Sequence, residues 1–168
     1  MAEITTAMVK ALRESSGAGV MDAKRALEEA QGDVKRATDI LRERGVAAAA
    51  KRADRETRNG VVDSYIHAGG RIGVLVELNC ETDFVANTDD FRQLARNVAM
   101  QVAAMSPAVI SARDRKPEHE GSDAEVCLLD QPFIRDASRT ITDLVQETVA
   151  KTGENIRVSR FVRYELGH

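Results

Sequence analysis

Apolar side chains recur at steps of three and four as far as Gly60, and from Val61 they alternate. A period of 3.6 and a period of 2 do not suit one kind of element, so the first part reads as helices and the second part must hold a sheet. The expected fold class is α+β. The expected units are a three-helix docking domain over 1–45, a helical linker over 46–60, and a core over 61–168. In that core a three-stranded antiparallel sheet packs with helices.

In the first unit Thr5 is the expected N-cap, with Ile4 and Val9 spaced as a hydrophobic staple. Met8 and Leu12 share a face, and Gly17 and Gly19 close the helix and turn the chain. Ala23, Ala26, Leu27 and Ala30 form the stripe of a second helix, stopped by Gly32. Asp33 caps a third, with Val34, Ala37 and Leu41 inward and Gly45 at its end. A core this small is marginal, and such units typically serve for docking. Residues 46–50 are alanine-rich and favour helix. Lys51, Arg52, Arg55 and Arg58 follow, mixed with Asp54 and Glu56, and Asn59-Gly60 is a turn signal. That basic run could touch phosphates, but the solvated face of a linker is its ordinary explanation.

Val62, Ser64 and Ile66 then alternate with Asp63, Tyr65 and His67. Ala68-Gly69-Gly70 marks a hairpin, and Arg71 to Asn79 returns as its second strand. Thr88-Asp89-Asp90 opens a long amphipathic helix carrying Phe91, Leu94, Val98, Val102 and Met105, flanked by Ala95, Ala99 and Ala103 and ended by Pro107. Ala112 to Glu125 is dense in charge and without an apolar stripe, so an exposed mobile loop is expected there. Val126 to Leu129 reads either as a short strand or as irregular packing. Thr140 to Asp143 resembles a capping box, and Gly153 ends the helix it opens. Ile156, Val158, Val162 and Tyr164 then step along a cationic last strand, which should join the hairpin.

The second strand runs into Asn79-Cys80-Glu81-Thr82-Asp83, and Phe84 comes directly after. An aromatic ring on a short acidic turn between a strand and a helix suits a probe pushed into a partner. It equally suits a plug of the local core, which is the commoner use of a lone apolar residue in a turn.

The net charge of −3 argues against a general nucleic-acid binder, and no run of eighteen apolar residues is present to span a membrane. Met1 to Thr6 lacks the basic and apolar regions of a secretion signal, so a cytoplasmic setting is expected. Cys80 and Cys127 stand far apart, with no CxxC pair and no cluster of histidines, so no metal or cofactor is expected. No P-loop and no nucleophile–base pattern appears, and His67 has no visible catalytic companion. A non-enzymatic protein is therefore expected.

Two stretches together resemble one family. Leu12 to Leu27, followed by Gly32-Asp33, is the first, and Glu77 to Ala86 is the second. They are similar to translation elongation factor Ts, and the likeness extends to the terminal Glu154 to Gly167. The resemblance implies a UBA-like N-terminal bundle and a guanine nucleotide exchange activity toward elongation factor Tu. It implies that Thr82, Asp83, Phe84 and Val85 form the nucleotide-displacing element, with Asp83 and Phe84 reaching towards the partner's nucleotide and magnesium. That reverses the weighing of Phe84 in favour of the probe. It also matches Arg13, Val20 and Met21 to the docking surface of the bundle. No nucleotide would bind this chain itself. Between Pro107 and Pro132 there is no room for the second subdomain and helical hairpin of longer members. The compact form implies a homodimer. Ala86-Asn87 stands where a basic residue is common in the family. The other reading open at this point is an RNA- or ribosome-associated adaptor using Lys51, Arg52, Arg55 and Arg58.

Overall fold

The computed structural model describes residues 4–167. Met1, Ala2 and Glu3 of the expected first unit, and His168, lie outside the described residues. Helix α1 spans Thr6–Ser16; Thr5 caps it by accepting from the Met8 N–H, and Gly17 ends it in the left-handed conformation at φ 69°. Helix α2 is Val20–Glu29. Helix α3 opens at Asp33, whose carboxylate accepts from the Arg36 N–H. Leu12, Ala23, Ala26, Leu27, Ala30 and Ala37 make the small core between them, with Ile4, Met8, Val9, Ile40 and Leu41 against it.

Two details of α3 differ from the sequence reading. Val34, expected inward, is 46% exposed, and Ile40 packs inward. Gly45, expected to end the helix, lies inside it, because α3 runs Val34–Ala50 without a break. Gly45 sits beside Ala150 of another helix, where a Cβ would make only an ordinary contact at 3.5 Å, and it does not act as a cap. What was expected as a separate helical linker is therefore the last turn of α3, followed by turns over 51–55 and an irregular stretch over 56–58.

Strands β1 (Asn59–Ile66) and β2 (Ile72–Cys80) form the hairpin, and β5 (Ile156–Glu165) pairs with the other side of β2, all antiparallel, in the order β1-β2-β5. Asn59 and Gly60, expected as a turn, already pair with Cys80 and Asn79. A Cβ on Gly60 would run into the Leu78 carbonyl oxygen, so the residue that signalled a turn is there for close strand approach. The last strand also differs. Its register against β2 shifts between Glu77 and Leu78, which face Arg160 and Val158 and leave Ser159 as an extra residue. Ile156 and Val158 point into the core. Beyond the bulge the phase inverts, so Phe161 packs inward while Val162 and Tyr164 face out, the latter 71% exposed.

Helix α4 is the single turn Asp83–Ala86, and α5 is Asp89–Met105. Phe91, Leu94, Ala95, Val98, Ala99 and Val102 of α5 press against Val74, Val76 and Leu78 of β2 in the larger core. The charged stretch after α5, expected as a mobile loop, is knit into a compact piece. Ser111 with Asp114 and Ser122 with Glu125 form capping boxes, α6 is Asp123–Val126, and Arg115 bonds Asp123 and the carbonyls of His119 and Gly121. Residues 126–129, read either as a short strand or as irregular packing, instead pass from the end of α6 through Cys127, which bridges Val109, into a 3-10 turn over Leu128–Asp130. A second small hairpin, β3 (Pro132–Phe133) with β4 (Asp136–Thr140), had no signal in the sequence. Buried Gln101 holds it by accepting from the Ile134 N–H and donating to Gln131 and the Pro132 carbonyl. Helix α7, Ile141–Thr152, starts in the expected capping box and ends at Gly153. It packs on α3, where Arg42 meets Asp143 at 2.6 Å.

Candidate functional site

Phe84 is 82% exposed, the most exposed large apolar side chain among the described residues. Its setting is rigid. Strand β2, paired on both sides, delivers the chain to Thr82, which adopts an extended conformation and caps α4 by accepting from the Val85 N–H at 3.4 Å. Asp83 and Phe84 occupy the outer side of that one turn. Val85 and Ala86 occupy the inner side, 8% and 5% exposed, and belong to the core. Of the four residues expected to form one surface, Asp83 and Phe84 face out, Thr82 is half-buried, and Val85 is an anchor.

The far end of the turn is also fastened. Asn87 donates to the Asp83 carbonyl at 2.9 Å and accepts from Arg92 at 2.8 Å, so the position that lacks a basic residue brings one in from α5. Thr88 donates its hydroxyl to the Val85 carbonyl and caps α5 by accepting from the Phe91 N–H.

The near end is gripped from a distant part of the chain. The Glu154 carboxylate accepts from the Glu81 N–H at 3.1 Å, the Thr82 N–H at 3.0 Å and the Thr82 hydroxyl at 2.6 Å. Glu81 in turn accepts from the Asn155 N–H at 2.7 Å. The Asn155 amide, 5% exposed, donates to the carbonyls of Ala53 and Arg55 and ties the chain after α3 to the same corner. Sequence reasoning missed Glu154 and Asn155 as parts of the site, although both head the terminal stretch that carried the resemblance. Beneath the turn, the Cys80 thiol donates to the Thr82 carbonyl. Burial, with the nearby Glu154 charge adding to it, pushes this thiol up to about 11. Burial also raises Cys127. Neither buried thiol is suited to nucleophilic chemistry.

Arg13 and Val20 lie together, lining an apolar trough between α1 and α2 with Ile4 and Val9, and Lys10 and Lys24 give its rim charge. Met21, the next residue along α2, is 58% exposed and Val20 54%. Two exposed apolar side chains beside cations, on a unit with its own core, have the character of a docking patch.

The three arginines after α3 are engaged locally. Arg52 donates to the Ala48 carbonyl, Arg55 stands 3.5 Å from Glu81, and Arg58 pairs with Glu56 at 2.7 Å. His67 is exposed, and its ring nitrogen is 3.2 Å from the Tyr65 hydroxyl. Among the described residues, no group of three or more His, Cys, Asp or Glu could hold a metal ion, and no helix is long and apolar enough to cross a membrane.

A family model described as Elongation factor TS matches residues 2–121. The chain is 51% identical over 194 aligned positions to the elongation factor Ts of Carboxydothermus hydrogenoformans, covering 98% of this chain and 89% of that protein. It is 47% identical over 193 positions to the elongation factor Ts of Thermotoga neapolitana, covering 98% of each. Both alignments exceed the 168 residues of this chain, so those relatives carry internal segments that it lacks.

Proposed function

The chain belongs to the elongation factor Ts family, the nucleotide exchange factors of elongation factor Tu; on that premise we propose that it releases GDP by inserting Phe84, with Asp83 beside it, near the partner's nucleotide and magnesium. One observation carries this reading: a phenyl ring is held in water on a turn that Thr82 caps at one end and Asn87 fastens at the other. A ring that served its own fold would be covered. Seated in an apolar crevice, it would gain about 1.5–3 kcal/mol of burial. That free energy becomes exchange only if the seated position and the bound nucleotide exclude one another. Nucleotide then weakens factor binding by the factor that the factor weakens nucleotide. No bond is made or broken on this chain. Its residues position and wedge, and the partner holds the nucleotide.

Residues 1–45 supply the second grip in this reading, through Arg13, Val20 and Met21, while 61–168 is the core. A cytoplasmic setting follows from the partner. The same chemistry also supports a homodimer. Leu75 of β2, flanked across the sheet by Ser64 and Val162, sits with Val62, Ile66 and Tyr164 on an outer face that this chain leaves bare. A second copy offering the same face would cover it.

The test is release of fluorescent GDP from elongation factor Tu by the full chain and by Phe84→Ala. Removing the ring is expected to slow stimulated release about tenfold to a hundredfold, the rate equivalent of 1.5–3 kcal/mol. Equal stimulation by the two proteins refutes the wedge.

A further inference from the structure

We infer that Glu154 is a positioning residue for exchange: its carboxylate orients the Thr82 hydroxyl and thereby sets the attitude of Phe84. The inference rests on the reading of Phe84 as the displacing group.

The Thr82 hydroxyl has one proton and has to do two things. It caps α4 by accepting from the Val85 N–H, which requires a lone pair to face that way. Its proton must then point elsewhere, and Glu154 Oε1 receives it in a short bond of 2.6 Å. The other carboxylate oxygen takes the N–H groups of Glu81 and Thr82, so three donors from one corner converge on one side chain. Helix α4 has a single turn and no second one to hold it if the first frays. Val85 and Ala86 are fixed by the core, but Asp83 and Phe84 have only the backbone of this turn to aim them. Loss of Glu154 therefore loosens the exposed side of the turn first. Glu154 is itself held in place: it follows Gly153, which ends α7 in the left-handed conformation at φ 74°, and precedes Asn155, whose backbone and side chain are both bonded.

Release of fluorescent GDP from elongation factor Tu, measured against factor concentration with the full chain, tests this. In Glu154→Ala the maximal rate is expected to fall about tenfold, equivalent to about 1.4 kcal/mol, while the half-saturating concentration stays within twofold. Thr82→Val should behave likewise. Thr82→Ser, which keeps the hydroxyl, should retain the original rate, and Glu154→Gln, which keeps an acceptor for the two N–H groups, should fall between. In a Phe84→Ala background, Glu154→Ala should cost nothing more, because the residue acts through the ring. The inference is overturned if Phe84→Ala slows release and Glu154→Ala does not, or if Glu154→Ala lowers the rate by the same factor with the ring absent. A normal rate in both single variants overturns the parent reading and this inference with it.

Discussion

Asp143 joins the helical bundle to the core, and its removal has a calculable cost. Its carboxylate accepts from the Thr140 N–H at 2.8 Å and the Thr140 hydroxyl at 3.0 Å, closing the capping box of α7, and from Arg42 of α3 at 2.6 Å. Asp143→Ala leaves the forward half of the box, since Thr140 still accepts from the backbone N–H at that position. Loss of the reciprocal half costs about 1 kcal/mol. The ion pair, with Arg42 57% exposed, adds about 0.5–1 kcal/mol. A total near 1.5–2 kcal/mol in a chain this size lowers Tm by about 3–8 °C. The effect depends on pH in a defined direction. Burial works to raise the Asp143 carboxyl, but the bonds from Thr140 and the Arg42 charge outweigh it and hold the group below the ordinary carboxylate range. A lowered folded-state pKa means that the contribution is complete above the unfolded value of about 3.9 and vanishes as pH falls through the folded one. Thermal melts of the two proteins followed by circular dichroism should therefore be furthest apart near pH 7 and converge toward pH 3. Arg42→Ala should reproduce only the smaller share. A drop in Tm under 1 °C at pH 7, or a gap that persists undiminished to pH 3, would refute this account.

Two further outcomes are expected. Phe84→Ala should melt within about 0.5 kcal/mol of the parent, whereas Phe91→Ala, which empties a fully buried site seven residues on, should cost about 3–5 kcal/mol; the reverse ranking in urea melts would mean that the Phe84 ring packs in its own fold. Leu75→Glu places a charge in the middle of the bare sheet face and should halve the mass seen by light scattering with an unchanged circular dichroism spectrum, and equal masses would remove the second-copy reading.

What the sequence disclosed follows the range of each signal. Thr5, Asp33, Thr88 and Thr140 announce their helices because an N-cap acts within three residues, and all four hold the expected backbone N–H. Alternation in β2 predicts its buried residues, since nothing interrupts the pleat. In β5 the same alternation misassigns Val162 and Tyr164, because the extra residue at Ser159 reverses the phase without leaving a mark in the pattern. Gly45 and Gly60 mislead for a related reason. Glycine can report a close neighbour or an unusual backbone as well as a turn; Gly60 reports a neighbouring strand, and Gly45 sits mid-helix where a Cβ would make only an ordinary contact. Exposure of Phe84 was not decidable from spacing, which suits a plug and a probe alike. The hold of Glu154 on Thr82 spans 72 residues and has no local signature at all.

The unbroken α3 makes length itself a constrained quantity in this protein. Seventeen residues at about 1.5 Å each give a rod of about 25 Å, with one end built into the bundle and the other laid along α7. One residue more or fewer inside it would swing its two ends relative to each other by about 100° and change their spacing by about 1.5 Å. Insertions and deletions that a surface loop would absorb are therefore forbidden along 34–50, and the helix acts as a ruler between the two halves of the molecule.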